Sequence, residues 1–110
     1  MAEEAKKTTV QEIEVQGIKF TVDTDKLDDV DSLDYIERIE SKGQVAAVLP
    51  LLKLILGLKE YEKIREAFAK KDAEDHAKEF PEDKEYKGRF RIARLQDVYL
   101  AIIEKFDPKD

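Results

Sequence analysis

The sequence has 110 residues and no cysteine, and its 26 acidic and 20 basic residues give a net charge of −6. This length fits one domain with a modest core, and the missing cysteines exclude disulfides and thiolate zinc sites. The acidic balance argues against binding to nucleic-acid phosphates, which relies on basic patches. The first residues lack the apolar segment of a signal peptide. We expect a disordered tail over residues 1–9 and a single globular domain over residues 10–110.

Apolar and polar residues alternate along residues 13–22, around a central Gln16-Gly17. If these two residues form the loop of a β-hairpin, Ile13 lies opposite Phe20 and the apolar side chains share one face. Gln is a poor first residue for a type I′ turn, so the pattern leaves the loop type open. An isolated hairpin is marginal in water, and we therefore expect this one to pack on helices.

The acidic segment 23–34 allows two interpretations. Its aspartates are spaced like several ligands of a calcium-binding loop. However, Leu27 stands at the fifth position, and Asp28 replaces the glycine that makes the turn. We therefore favour aspartates that cap the starts of helices.

The next helix is predicted from an apolar side formed by Leu33, Ile36 and Ile39. Ser32 or Asp31 is its expected cap. Gly43 is well placed to end it.

The most apolar segment, residues 45–58, contains Lys53 as its only charged residue. A helix that is apolar on nearly all sides must be covered by its own chain or by a partner. The segment is shorter than the roughly 20 residues of a membrane span. Pro50 permits either a continuous helix with a kink, which we favour, or a regular helix that begins near this residue.

The same segment has more apolar faces than a hairpin and short amphipathic helices readily cover. We therefore expect part of it to bind a partner or a second copy of the chain. The candidate partner-binding residues are Val45, Val48, Leu49, Leu52 and Leu56.

Two further helices are predicted, over residues 58–71 and 92–106. In the first, Tyr61 and Phe68 are expected to be core residues. The second should end at Asp107-Pro108. Its apolar stripe comprises Ile92, Leu95, Val98, Tyr99, Ile102, Ile103 and Phe106.

The charged segment 72–88 lies between these helices and has no clean period, which predicts a long mobile loop with room for one helical turn. His76 could bind a metal together with Asp72 and Glu79 if the segment were helical. It is the only histidine, and a solvated side chain in a run of charges explains it better. We predict no metal site and no cofactor.

A small basic cluster, Arg89, Arg91 and Arg94, lies at the start of the last helix. In so acidic a chain, these side chains are expected to pair within the molecule. No Gly-rich phosphate loop is present, and one histidine offers few catalytic combinations, so we expect a protein that is not an enzyme.

Together these patterns predict an α+β fold that is mostly helical, with an N-terminal two-stranded β-hairpin packed on a small bundle of about four helices. Three segments also carry a resemblance to a known family through their order and spacing. They are Phe20–Asp25 continuing to Ile39, Leu49–Gly57 followed by Tyr61–Ile64, and Gly88–Ile92 leading to Glu104–Lys109.

These segments resemble the small tail assembly chaperones of long-tailed phages and prophages of Gram-positive bacteria. The resemblance covers most of residues 18–109. The chain departs from the pattern at residues 72–87, where such proteins usually run almost directly into the Gly-Arg segment.

The resemblance implies a role without catalysis, catalytic residues or cofactors. Such proteins keep the long, apolar, helical tape measure protein soluble and help tail tube subunits to polymerise around it. They are usually made in a short form and a longer frameshifted form. The implied partners are therefore the tape measure protein and the tail tube protein, without nucleic acid or membrane. The implied location is the cytoplasm of the bacterial host and not the mature virion.

Two other functions stay open. The chain could be an acidic mimic of nucleic acid that inhibits a DNA-binding protein, although its interleaved basic residues dilute a phosphate-like array. It could also be an oligomeric structural or scaffold protein. A scaffold that is retained would be found in purified particles, whereas an assembly chaperone would not.

Overall fold

A computed structural model describes residues 10–106, which form a two-stranded antiparallel sheet and four α-helices. This confirms the predicted α+β fold. The expected tail over residues 1–9 and the stop at Asp107-Pro108 lie outside the described residues. The elements are β1 (Val10–Val15), β2 (Ile18–Asp23), α1 (Val30–Lys42), α2 (Val48–Leu56), α3 (Leu58–Glu79) and α4 (Ile92–Phe106), with 3-10 turns at Thr24–Leu27 and Val45–Ala47.

The hairpin has the predicted register, with Val15 opposite Ile18 and Ile13 opposite Phe20. Gln16 and Gly17 both adopt positive φ angles, 52° and 84°, which is the backbone of a type I′ turn. The apolar face of the hairpin is buried against the helices, as predicted. The helices thus supply the support that two strands lack on their own.

Helix α1 begins earlier than predicted, because Asp29 and not Asp31 or Ser32 is its cap. The Asp29 carboxylate accepts a hydrogen bond from the backbone N–H of Asp31. Ser32 is buried instead, and its hydroxyl donates to the Lys26 carbonyl at 2.9 Å.

The buried position of Ser32 sets the orientation of α1. Leu33, which was predicted to line the apolar side, is 63% exposed. Ile36 and Ile39 do pack on the core. Gly43 ends the helix in the left-handed conformation, as predicted.

The continuous, kinked helix predicted over residues 45–58 is wrong. A 3-10 turn precedes α2, and Pro50 stands in the first turn of that α-helix. The first N–H groups of a helix have no partner inside it, so proline costs no hydrogen bond there. The alternative prediction, a regular helix that begins near Pro50, is the one observed. Gly57 then separates α2 from α3.

Helix α2 is the centre of the core. Leu51, Leu52 and Ile55 are buried almost completely, and α2 is covered by the hairpin, α1, α3 and α4. The chain thus covers most of its most apolar segment, while Val45 and Leu49 stay half-buried and Leu58 is 65% exposed. The hairpin and three helices share this cover, although each is short or only partly apolar.

Helix α3 continues to Glu79, so the loop predicted over residues 72–88 is wrong for its first eight residues. Tyr61 and Phe68 of this helix are core residues, as predicted. Within residues 10–106, no helix combines the length and the apolar character that crossing a membrane requires.

Candidate functional site

The structure divides the five candidate partner-binding residues into two groups. Val48, Leu52 and Leu56 expose 1%, 0% and 9% of their surface and belong to the core. Other elements of the chain already cover these three side chains, so they offer a partner almost no surface while the fold is intact. Val45 and Leu49 are half-buried, and the prediction of partner contact stays open for these two.

Leu49 lines a groove with a volume of about 360 Å³, which we call the Leu49 groove. It lies between the start of α2, the middle of α3 and the chain that leads into α4. Arginines contribute to its lining beside the apolar side chains. The lining residues are Leu49, Tyr61, Arg65, Ala69, Gly88, Arg89, Phe90, Ile92 and Leu95.

Val45 lines a second groove, of about 370 Å³, which we call the Val45 groove. It lies between the end of α1, the 3-10 turn before α2 and the first half of α4. The lining residues are Ile39, Glu40, Val45, Val48, Ala93, Gln96, Asp97, Tyr99 and Leu100.

Two large apolar side chains of α4 project from these grooves. Ile92 is 67% exposed at the Leu49 groove, and Leu100 is 58% exposed at the Val45 groove. Val45 lies in the 3-10 turn before α2 and Leu49 lies in the first turn of α2, so both grooves reach the start of this helix. We call the surface formed by Val45, Leu49, Ile92 and Leu100 the apolar strip.

The predicted apolar stripe of α4 is therefore only partly a core stripe. Val98, Tyr99 and Ile102 are buried, whereas Ile92 is exposed and Leu100 was not singled out. The sequence did contain a signal for Leu100. Residues 98–103 are all apolar, and successive helical residues turn by about 100°, so an uninterrupted run must place some of them outward. The side chain of Phe106 lies outside the described residues.

An ionic cluster fixes the connection between α3 and α4. The Asp72 carboxylate accepts hydrogen bonds from Arg91 Nε and the Arg89 backbone N–H, each at 3.0 Å, and from the Tyr86 hydroxyl. The hydrogen bond from Tyr86, followed by the contacts with Arg91 and Arg89, holds the pKa of Asp72 below its ordinary value. Arg91 also donates to the Tyr86 hydroxyl at 2.8 Å.

His76 belongs to the same region, and its description as a solvated side chain in a charge run is wrong. Its ring stacks on Tyr86 with 3.9 Å between centroids, and its Nε2 lies 3.0 Å from Asp83 Oδ2. Phe80 packs at 4.9 Å from the same ring. Asp72 and His76, both on the last part of α3, thus bind residues of the connection between α3 and α4.

Gly88 brings this connection into direct contact with α3. It has a φ of 87°, and a Cβ atom at this position would lie 2.0 Å from the Ala69 carbonyl oxygen. Two residues later, Phe90 stacks on Phe68 at 5.1 Å and approaches Tyr61 at 6.4 Å. The close approach at Gly88 therefore positions Phe90 as a wall of the Leu49 groove.

A hydrogen bond between α1 and α4 joins the two sides of the Val45 groove. The Tyr99 hydroxyl donates to Glu40 Oε2 at 2.7 Å. Burial, helped by the adjacent Glu40 carboxylate, raises the pKa of Tyr99 above its ordinary value, so the hydroxyl stays protonated and able to donate.

The expected internal pairing of the basic cluster is confirmed for two of its members. Arg91 pairs with Asp72. Arg94 Nε lies 3.1 Å from Asp97 Oδ2, although without hydrogen-bond geometry. The third, Arg89, places its guanidinium 5.7 Å from the centre of the Tyr86 ring.

The acidic segment 23–34 has a structural role at two positions. Asp23 and Asp29 accept hydrogen bonds from backbone N–H groups at the starts of helical segments. Across residues 10–106, no three His, Cys, Asp or Glu side chains come together as a metal ion requires. Comparisons of the chain with protein-family models, with curated proteins and with solved structures found no match.

Proposed function

We propose that this protein is a tail assembly chaperone of a long-tailed phage or prophage. It would bind apolar helices of the tape measure protein and assist assembly of the tail tube around it. The resemblance of the three sequence segments supplies the identity of this client. The protein would act in the cytoplasm of the bacterial host and be absent from the mature virion.

The observation that supports the proposal is the apolar strip. Exposed side chains of this size on a small acidic domain favour a protein partner, because contact removes them from water. The two grooves beside the strip suit the apolar face of an amphipathic helix, whose anchor residues recur every three to four positions. Tape measure proteins are long and helical, so they offer many such faces.

The grooves differ in charge, which gives a bound helix a preferred direction. Arg65 and Arg89 contribute to the Leu49 groove. Glu40 and Asp97 contribute to the Val45 groove. We therefore expect a client helix to place acidic residues near the first groove and basic residues near the second.

Co-expression of the tape measure protein with variants of this chain tests the proposal. Ile92→Asp and Leu100→Asp place a charge on the strip, where a desolvated contact makes it costly. Leu33→Asp is a matched control, because Leu33 is 63% exposed on α1 and lines neither groove. We expect the wild type and the control to keep the client soluble and the two strip variants to lose this ability.

Circular dichroism of all three variants establishes that each is folded. The proposal is wrong if the wild type leaves the client insoluble. It is also wrong if the folded strip variants bind the client as well as the control does. Detection of the protein in purified particles would instead support a structural or scaffold role.

A further inference from the structure

The two outer edges of the hairpin differ. At the edge of β2, the Thr21 backbone N–H donates to Glu60 Oε2 of α3 at 3.0 Å, and the Thr21 hydroxyl approaches the same oxygen. This bond also shows the direction of the backbone groups. Since the Thr21 N–H points away from β1, its partner Glu12 belongs to a pair that exchanges no backbone hydrogen bonds.

The alternation of an antiparallel ladder extends this assignment along β1. Glu14, two residues further on, is in the same class of pair as Glu12. The backbone N–H and C=O groups of both residues therefore point outward from the free edge of β1. Among residues 10–106, no backbone group outside the hairpin bonds to either residue.

A groove of about 270 Å³ runs beside this edge, between β1 and the second half of α4. The side chains of Glu12 and Glu14 are exposed, whereas Ile13 between them is buried. Glu104 adds a third carboxylate to the lining, and Lys105 adds a cation. The free edge thus combines unpaired backbone groups with an excess of negative charge.

We propose that the outer edge of β1 binds an extended, basic segment of a partner protein as a third strand. Its backbone would pair with Glu12 and Glu14, as in other cases of strand addition. Side chains opposite these glutamates lie on the outward face, where Lys or Arg is favoured, and the residue between them faces the core side and is apolar. The preferred sequence therefore alternates basic and apolar residues.

A second copy of this chain does not fit the edge as well. Pairing β1 with another β1 in antiparallel fashion brings glutamates of the two strands together, and like charges across a strand pair are destabilising. Charged side chains also protect free edges from unwanted pairing. The experiment must therefore distinguish an edge that binds basic strands from an edge whose charges only prevent pairing with other strands.

The probe is the synthetic peptide TKVKVKT, which is added to the isotope-labelled full chain. Its control, TKKKVVT, has the same composition and charge without the alternation. We expect TKVKVKT to bind at least about tenfold more tightly than the control. At saturation it should slow amide hydrogen exchange at Glu12 and Glu14 by about tenfold or more, because pairing protects both amides.

A charge-matched pair of double variants provides the second comparison. Glu12→Lys with Glu14→Lys should weaken binding of TKVKVKT by about tenfold or more. Glu37→Lys with Glu66→Lys, at exposed positions on α1 and α3, changes the net charge equally and should leave most of the affinity. Equal affinity for both peptides without protection of Glu12 and Glu14, or no binding at all, would overturn the proposal. The edge would then be protective only.

Discussion

Arg91 Nε donates a 3.0 Å hydrogen bond to Asp72 Oδ1 across a separation of 19 residues. This ion pair joins the end of the α3–α4 connection to the part of α3 that was predicted to be a loop. It also orients the chain between Gly88 and Ile92, which forms one side of the Leu49 groove. The stability of the pair should therefore affect both the fold and the proposed client surface.

The substitution Asp72→Asn should lower the melting temperature at pH 7, because the amide cannot form the ion pair. The pKa of Asp72 is held below its ordinary value of 3.8 in the folded protein. Its charge therefore contributes stability above about pH 4, and this contribution is lost as the pH falls through the lowered pKa. The melting-temperature difference between wild type and variant should narrow below pH 3.8.

Asp75→Asn is the control for this experiment, because Asp75 is exposed on the same helix. The Asp75→Asn substitution should change the melting temperature only slightly at every pH. A difference for Asp72→Asn that stays constant from neutral pH to about pH 3 would contradict the assigned role of the ion pair.

The substitution Gly88→Ala should lower the free energy of unfolding by about 2 kcal/mol or more, since it adds a steric clash to an unfavourable positive φ. Gly17→Ala is the matched comparison. Gly17 also has a positive φ, but a Cβ atom there meets nothing within 4 Å, so only the conformational cost of about 1–2 kcal/mol applies. Denaturant titration measures the free energy of unfolding of both variants. Equal losses would show that the connection can move away from Ala69.

The candidate partner-binding residues should separate by their effect on stability. Leu52→Ala should cost about 2–5 kcal/mol, because it leaves a cavity in the core. Leu49→Ala, at a half-buried position beside a groove, should cost about 1 kcal/mol. Urea titration with circular dichroism gives both values. A larger loss for Leu49→Ala than for Leu52→Ala would contradict the placement of these residues.

The substitution Glu60→Ala should leave the Thr21 backbone N–H without the carboxylate that accepts its hydrogen bond. We expect amide hydrogen exchange at Thr21 to become faster and the free energy of unfolding to fall by about 1 kcal/mol. Glu62→Ala on the same helix removes a carboxylate whose ion pair, with Arg65 at 3.8 Å, stays within α3. It should leave exchange at Thr21 unchanged. No change in either variant would show that Glu60 does not protect the edge of β2.

The hairpin could be predicted because its signals are local and agree with each other. Alternation, the position of Gly17 and the pairing of apolar residues all specify one register. Helix α3 beyond residue 71 could not be predicted in the same way. That segment lacks a continuous apolar stripe. Asp72 and His76 contact residues that lie beyond the end of the helix, 7 to 19 positions further along the chain. A pattern search within one helix does not detect such contacts.

The candidate surface was predictable only in part. The sequence indicates an excess of apolar surface, but its pattern places that excess on the central helix. The structure buries most of that helix and exposes Ile92 and Leu100 of α4 instead. The position of Phe90 beside the Leu49 groove depends on the close approach of Gly88 to Ala69. No residue spacing in the sequence indicates that approach.

The packing of β1 against α4 has a consequence for synthesis of the protein. These two elements stand at opposite ends of the described chain, and the later one supplies Val98, Tyr99 and Ile102 to the common core. During translation the hairpin can form early, but its apolar face has no complete cover until α4 has left the ribosome. Helix α4 therefore completes the core, and a nascent chain stalled before it should be prone to aggregation.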